Sequence, residues 1–197
     1  MNNTFRKITK IIVAGDGGIG KTTFLKKFCF NQYDENQELT VGFEIFVKEA
    51  YVNDRVEVLQ IWDLGGQDRF RFFLKDFLPG LKGAIVAFNV KVIKTFLSLK
   101  AWLKMLREYD PHLPIVLIGT KLDLGYNPTI NTSVVNKLVE DFGLIKYIEI
   151  STKNNYNVSE PFKVLIENIM KTKDSTIEFL PIKVEINERV KTKISED

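Results

Sequence analysis

Gly15-Asp16-Gly17-Gly18-Ile19-Gly20-Lys21-Thr22 has the residue types and spacing of a phosphate cradle, G-x-x-x-x-G-K-[ST]. Glycines at 15, 17, 18 and 20 let backbone N–H groups turn inward around anionic oxygens. A helix starting near Lys21 adds the positive end of its dipole. The Lys21 ammonium suits β- and γ-phosphates, and the Thr22 hydroxyl suits magnesium. A strand-like run, Lys10–Ala14, precedes the loop, and helical spacing through Phe24, Leu25, Phe28 and Cys29 follows it. A glycine-rich turn that merely happened to carry Lys-Thr would lack that context. The loop alone does not separate adenine from guanine.

Other polar positions fall at the ends of further strand-like runs. Asp63-Leu-Gly-Gly66 ends one and is followed by Gln67; Gly119-Thr-Lys-Leu-Asp123 closes another, and Ser151-Thr-Lys153 a third. Thr40 stands between a polar stretch and Val41-Gly42. In open α/β sheets, ligands bind beyond the carboxyl ends of the strands, where the Asp123 and Ser151–Lys153 motifs fall. In this order and spacing the chain resembles the small GTPases of the Ras superfamily, over roughly residues 8–172.

That resemblance implies a guanine nucleotide held with magnesium. It gives Asp123 the carboxylate that accepts from guanine N1–H and the exocyclic amine, a pairing that adenine does not offer. Lys121 packs its stem along the ring, with Thr120 in place of the usual asparagine. Ser151 orients Asp123, the Thr152 N–H meets the base oxygen, Lys153 flanks the ring and Tyr33 closes over it. Thr40 offers its hydroxyl to magnesium and its N–H to the γ-phosphate, so loss of that phosphate releases the loop. Asp63 holds magnesium, in the family usually through a water. The Gly66 N–H senses the γ-phosphate, and Gln67 orients the attacking water. The implied nucleotide site is Gly15 through Thr22 with Thr23, Tyr33, Thr40, Gly66, Thr120, Lys121, Asp123, Ser151, Thr152 and Lys153. Thr22, Thr40 and Asp63 are the implied magnesium set; Gln67, Lys21, Thr40 and Gly66 are the implied catalytic set.

No arginine lies between Gln32 and Gly42, so slow intrinsic turnover is expected, with an activating partner supplying the arginine. Gly17 is compatible with such an approach, because a side chain there would crowd the γ-phosphate. Regulators (an exchange factor and a GTPase-activating protein) and effectors are expected at Thr40–Ile45 and Trp62–Phe77. The latter stretch carries Phe70, Phe72, Phe73 and Phe77, a partner surface or core packing. Branch signals conflict: Trp62–Asp68 resembles the Arf branch, Thr40–Glu44 the Rab branch and Thr120–Asp123 the Rho branch. Asn89 stands where many relatives have aspartate and Gln37 where many have tyrosine. A divergent member is the expected reading.

The elements that must position these residues alternate between β-branched runs and helix-period segments, the pattern of a mostly parallel sheet covered on both faces. Strands are expected near Lys10–Ala14, Phe43–Val52, Val56–Trp62, Ala84–Val90, Ile115–Gly119 and Tyr147–Ile150. Asn53-Asp54 joins the second and third as an antiparallel hairpin. Helices are expected after Lys21, near Asp68–Leu81, and over Phe96–Tyr109, Val134–Phe142 and Val158–Lys171. The expected fold is the P-loop NTPase three-layer sandwich: six strands with one antiparallel edge hairpin, and about five helices. The GTPase domain spans 1–172; 173–197 form an extension, either an extra edge strand or a partly ordered segment.

Composition narrows the class further. The chain has 197 residues, 45% hydrophobic and 27% charged, enough for one full core. A net charge of +3 is too mild for a nucleic-acid binder, where a clustered basic stripe is expected. The one cysteine, Cys29, allows no disulfide within the chain. No apolar run approaches a membrane span, no signal-peptide pattern opens the chain, Asn2 excludes myristoylation and no C-terminal cysteine invites prenylation. A cytoplasmic protein without a lipid anchor of its own is expected. Three competing readings are a guanine-nucleotide module without hydrolysis, an ATP-using P-loop enzyme and a nucleic-acid binder. Gln67 and Thr40 oppose the first, Asp123 with Ser151–Lys153 the second, and charge the third.

Overall fold

The computed structural model describes residues 6–35, 38–53, 55–66, 77–172 and 176–181. Strand β1 (Lys7–Ala14) is central. Its Ile11–Ala14 segment is fully buried because β3 and β4 pair with it in parallel while helices cover both faces. Helix α1 (Lys21–Phe30) leaves the phosphate loop and ends at Asn31 in the left-handed conformation. Strands β2 (Phe43–Val52) and β3 (Arg55–Leu64) form an antiparallel hairpin, with Val52 opposite Arg55 across the expected Asn53-Asp54 turn. Strand β4 (Leu81–Asn89) is buried nearly throughout.

Helices α2 (Ile93–Leu97) and α3 (Leu99–Tyr109) follow, then β5 (Ile115–Thr120) and a short 3-10 turn, Leu122–Leu124. Helix α4 (Thr132–Asp141) is capped by the Asn131 side chain, which accepts from the Val134 N–H. After β6 (Lys146–Glu149) comes α5 (Glu160–Met170), with Pro161 in its first turn, then β7 (Ile177–Phe179). The sheet order is β6-β5-β4-β1-β3-β2-β7.

Two cores flank the sheet. One face packs Phe24, Phe28 and Phe162 from α1 and α5; the other packs Trp102, Leu103 and Leu106 from α3 with Val135 and Leu138 from α4. The α/β sandwich with an antiparallel hairpin is as expected, but among the described residues the sheet has seven strands, not six. The added strand pairs antiparallel with the outer edge of β2, where Phe179 packs edge-on against Phe28 at 4.8 Å. Pro181, which has no N–H to continue a ladder, stands just beyond this strand. The helix expected over Phe96–Tyr109 starts earlier and is interrupted at Ser98. Of the helix expected at Asp68–Leu81, residues 68–76 lie outside the described residues, and Leu81 opens β4 instead, because its side chain is drawn into the core.

Candidate nucleotide-binding site

A cleft of about 270 Å³ opens beyond the carboxyl ends of β1, β5 and β6. Gly17 through Thr23 form its floor; Tyr33, Thr40 and Gly66 line one side, and Thr120, Lys121, Asp123, Thr152 and Lys153 the other. Gly15, Asp16, Asp63 and Ser151 stand behind the lining. Gln67 lies outside the described residues, so its expected place beside an attacking water is left to the sequence.

At the phosphate end, the loop's shape follows from two glycines. Gly15 has φ 138°, and a Cβ there would lie 2.3 Å from the Ala87 carbonyl oxygen of β4. At Gly66 a Cβ would lie 2.1 Å from the backbone of Asp16 and Gly17. The Gly17 N–H donates to the Gly66 carbonyl at 3.1 Å, so the end of β3 and the phosphate loop are clasped backbone to backbone. Among the described residues, a Cβ at Gly17 would meet nothing closer than 3.9 Å.

Lys21 is almost wholly buried and donates to the carbonyls of Gly15 and Asp16, both at 2.8 Å. Burial pulls its pKa down to about 8, against the opposing pull of Asp63 and Asp16. Thr22, Thr40 and Asp63 converge from α1, the segment before β2 and the end of β3. The two threonine hydroxyl oxygens are 2.6 Å apart, and Thr22 donates to Asp63 Oδ2 at 2.5 Å. Asp63 is fully buried, and burial pushes its pKa up to about 6, moderated by Lys21 and the Thr22 hydrogen bond. Its Oδ1 is buried with no hydrogen-bond partner among the described residues. Two hydroxyls and a carboxylate with an unused oxygen are hard donors of the kind magnesium takes, so these three residues fit that ion.

Asp16 is a loop residue whose role the motif does not foretell. Its carboxylate turns away from the cleft: Oδ2 accepts from the Ser98 hydroxyl at 2.7 Å and Oδ1 from Trp102 Nε1 at 3.0 Å. The loop is thereby tied to α3 at the Ser98 break. The signal in the sequence is electrostatic: a carboxylate inside a phosphate cradle has to face elsewhere.

At the other end, Ser151 donates to Asp123 Oδ1 at 2.6 Å. Ser151 and Tyr156 exchange both backbone hydrogen bonds, and the Asn154 N–H donates to the Ser151 hydroxyl, which stiffens this loop. Lys121 adopts the left-handed conformation (φ 59°), and its ammonium donates to the Gly18 carbonyl at 3.1 Å. Thr120, expected among the base contacts, is buried; its hydroxyl lies 2.7 Å from the Ile19 carbonyl and 3.0 Å from that of Phe88. Its side chain therefore ties β5 to the phosphate loop. Glu35, which the motifs do not single out, also lines the cleft: it pairs with Lys153 at 2.6 Å and accepts from the Tyr33 hydroxyl at 3.3 Å.

Among the described residues, no helix is long and apolar enough to cross a membrane.

Comparison with known proteins agrees with this geometry. The model of the Ras family matches residues 10–171. The chain is 30% identical to a "Ras-related protein Rab-7a" of Dictyostelium discoideum, covering 91% of each chain. It is 32% identical to a "Ras-related protein Rab7A" of Mesembryanthemum crystallinum, covering 89% of this chain and 88% of the relative. It is 31% identical to a "GTP-binding protein YPTM1" of Zea mays, covering 88% and 83%. A cradle for phosphates, a carboxylate held at the far end of the same cleft and a family match across most of the chain have one reading: this protein belongs to the Ras family of small GTPases.

Proposed function

We propose that this small GTPase binds GTP and GDP with magnesium and hydrolyses GTP to GDP and phosphate at a slow intrinsic rate. The observation that carries the proposal is the meeting of Thr22, Thr40 and Asp63, from three separate segments, beside the phosphate loop. Bound magnesium would neutralise charge on the β- and γ-phosphate oxygens. The chain's own residues do the rest by position and charge. The backbone of Gly17–Thr22 cradles the phosphates with Lys21 beneath them, Gly66 lies against the loop where a terminal phosphate ends, and Gln67 orients the water. Asp123, held by Ser151, reads the guanine edge; Lys121, Thr152, Lys153 and Tyr33 enclose the base.

Release of Thr40 on loss of the terminal phosphate would make the Thr40–Ile45 segment the part that changes between states. Partners would read it there and along Trp62–Phe77. Exposed Phe43 stacks on Trp62 at 5.3 Å and meets Phe77 at 4.7 Å, a ready apolar contact. An exchange factor and an activating protein are the regulators this chemistry calls for, acting in the cytoplasm.

The test is phosphate release from GTP with magnesium and with chelator. Magnesium-dependent, multiple-turnover release is expected, and Gln67→Leu is expected to cut the single-turnover rate by about tenfold or more while nucleotide still binds. Equal rates for the variant and the wild type would remove Gln67 from the mechanism; no turnover at all would leave a binding module.

A further inference from the structure

The base end of the cleft carries an ion pair that the reading above does not use. Lys153 Nζ and Glu35 Oε1 are 2.6 Å apart, both side chains are about half exposed, and the Tyr33 hydroxyl donates to the same carboxylate oxygen. The two residues come from opposite walls. Glu35 follows α1, whose left-handed end at Asn31 turns the chain across the cleft. Lys153 is presented by the loop that the Ser151–Tyr156 backbone pair stiffens. Tyr33, Glu35, Thr152 and Lys153 all line the cavity that reaches from the phosphate loop to Asp123. A molecule lying along that cavity is therefore enclosed at its base end by Glu35 and Lys153, one from each wall.

The segment after α1 is thus pinned at two places of different chemistry. Thr40 is held at the phosphate end beside Thr22 and Asp63; Glu35 is held at the base end by Lys153. Only the first pin depends on a terminal phosphate and a cation. We propose that Glu35 is a positioning residue: its ion pair with Lys153 latches the base end of the cleft and slows release of GDP and GTP by the same factor. This rests on the nucleotide reading above. An exposed pair contributes little free energy, so the latch sets a rate by a small factor and not affinity by orders of magnitude. Its exposure also makes it sensitive to salt.

The test uses the full chain loaded with fluorescent GDP or a fluorescent non-hydrolysable GTP analogue, chased with unlabelled nucleotide. At low ionic strength Glu35→Gln is expected to speed release of both labels by about two- to five-fold. In about 1 M salt, where the screening length is only about 3 Å, the variant and the wild type should converge. The charge-exchanged double variant, Glu35→Lys with Lys153→Glu, should release more slowly than Lys153→Glu alone, again only at low salt. Packing changes in the loop would not produce that salt-dependent rescue. Wild-type release by Glu35→Gln at low salt overturns the latch, as does an acceleration that salt leaves untouched or one confined to the GTP analogue. Failure of the wild type to retain either label would overturn the nucleotide reading itself, and the latch with it.

Discussion

In the proposed reading the two ends of the cleft hold parts of one ligand, and they are built by opposite means. The phosphate end is buried: Lys21, Thr22 and Asp63 are all within the protein, fixed by backbone carbonyls, by one another and by the Gly17–Gly66 clasp. The base end is open: Asp123, Lys153, Tyr33 and Glu35 are exposed and held by side-chain hydrogen bonds and an ion pair. Burial makes each charge at the phosphate end costly without its counter-charge, so that end should respond steeply to mutation and to the cation. The open end should respond in affinity for one base over another and in sensitivity to salt.

Lys21→Ala is the change expected to widen this contrast most. It removes a buried cation from the phosphates, and nucleotide affinity should fall by about 100-fold or more, measured by calorimetric titration. Asp123→Ala should follow, with a loss on the order of 30- to 100-fold in GDP affinity and little change for ATP, so that preference narrows by that factor while phosphate binding survives.

Asp63→Asn separates stability from binding. In the nucleotide-free protein, burial holds the Asp63 carboxyl near 6, above the usual 3.8, so the folded state binds a proton more tightly than the unfolded chain. Stability therefore falls as pH rises from about 4 to about 6, and the full penalty, on the order of 3 kcal/mol, is present above that window. The asparagine variant should unfold at a higher temperature than the wild type at pH 7 and at a similar one near pH 4, while losing the magnesium dependence of nucleotide affinity. A nucleotide-free wild type as stable as the variant at pH 7 would contradict the assignment. Trp102→Phe is the smallest expected effect. It leaves Asp16 Oδ1 without its indole donor, for about 1 kcal/mol of stability and a modest loss of affinity for both nucleotides, read by thermal unfolding and titration.

The sequence discloses these regions unequally for a physical reason. The phosphate loop, Asp63, Asp123 and Ser151 are legible because each sits in a short local pattern whose backbone demands are nearly self-contained. Gly15 and Gly20 stand where positive φ is needed, and each polar motif stands at or shortly after the end of a strand. The same locality makes the central strands visible. What stayed hidden depends on partners distant in the chain. Asp16 is explained by Ser98 and Trp102, Thr120 by carbonyls of Ile19 and Phe88, and Glu35 by Lys153. No local spacing encodes those pairings. Strand β7 is legible only as one of two alternatives, because Pro181 cuts its alternating run short; its place comes from the open edge of β2 and the contact with Phe28.

The central claim is that one cleft takes phosphates at its buried end and guanine at its open end. Equilibrium displacement of fluorescent GDP by unlabelled GDP, GTP and ATP, with magnesium, tests both halves at once. GDP and GTP should displace the label at near-stoichiometric concentrations. ATP should require at least about 1,000-fold more, because adenine covers Asp123 without offering the two N–H donors of guanine. Comparable potency of ATP and GTP, or no binding of the label, would contradict it.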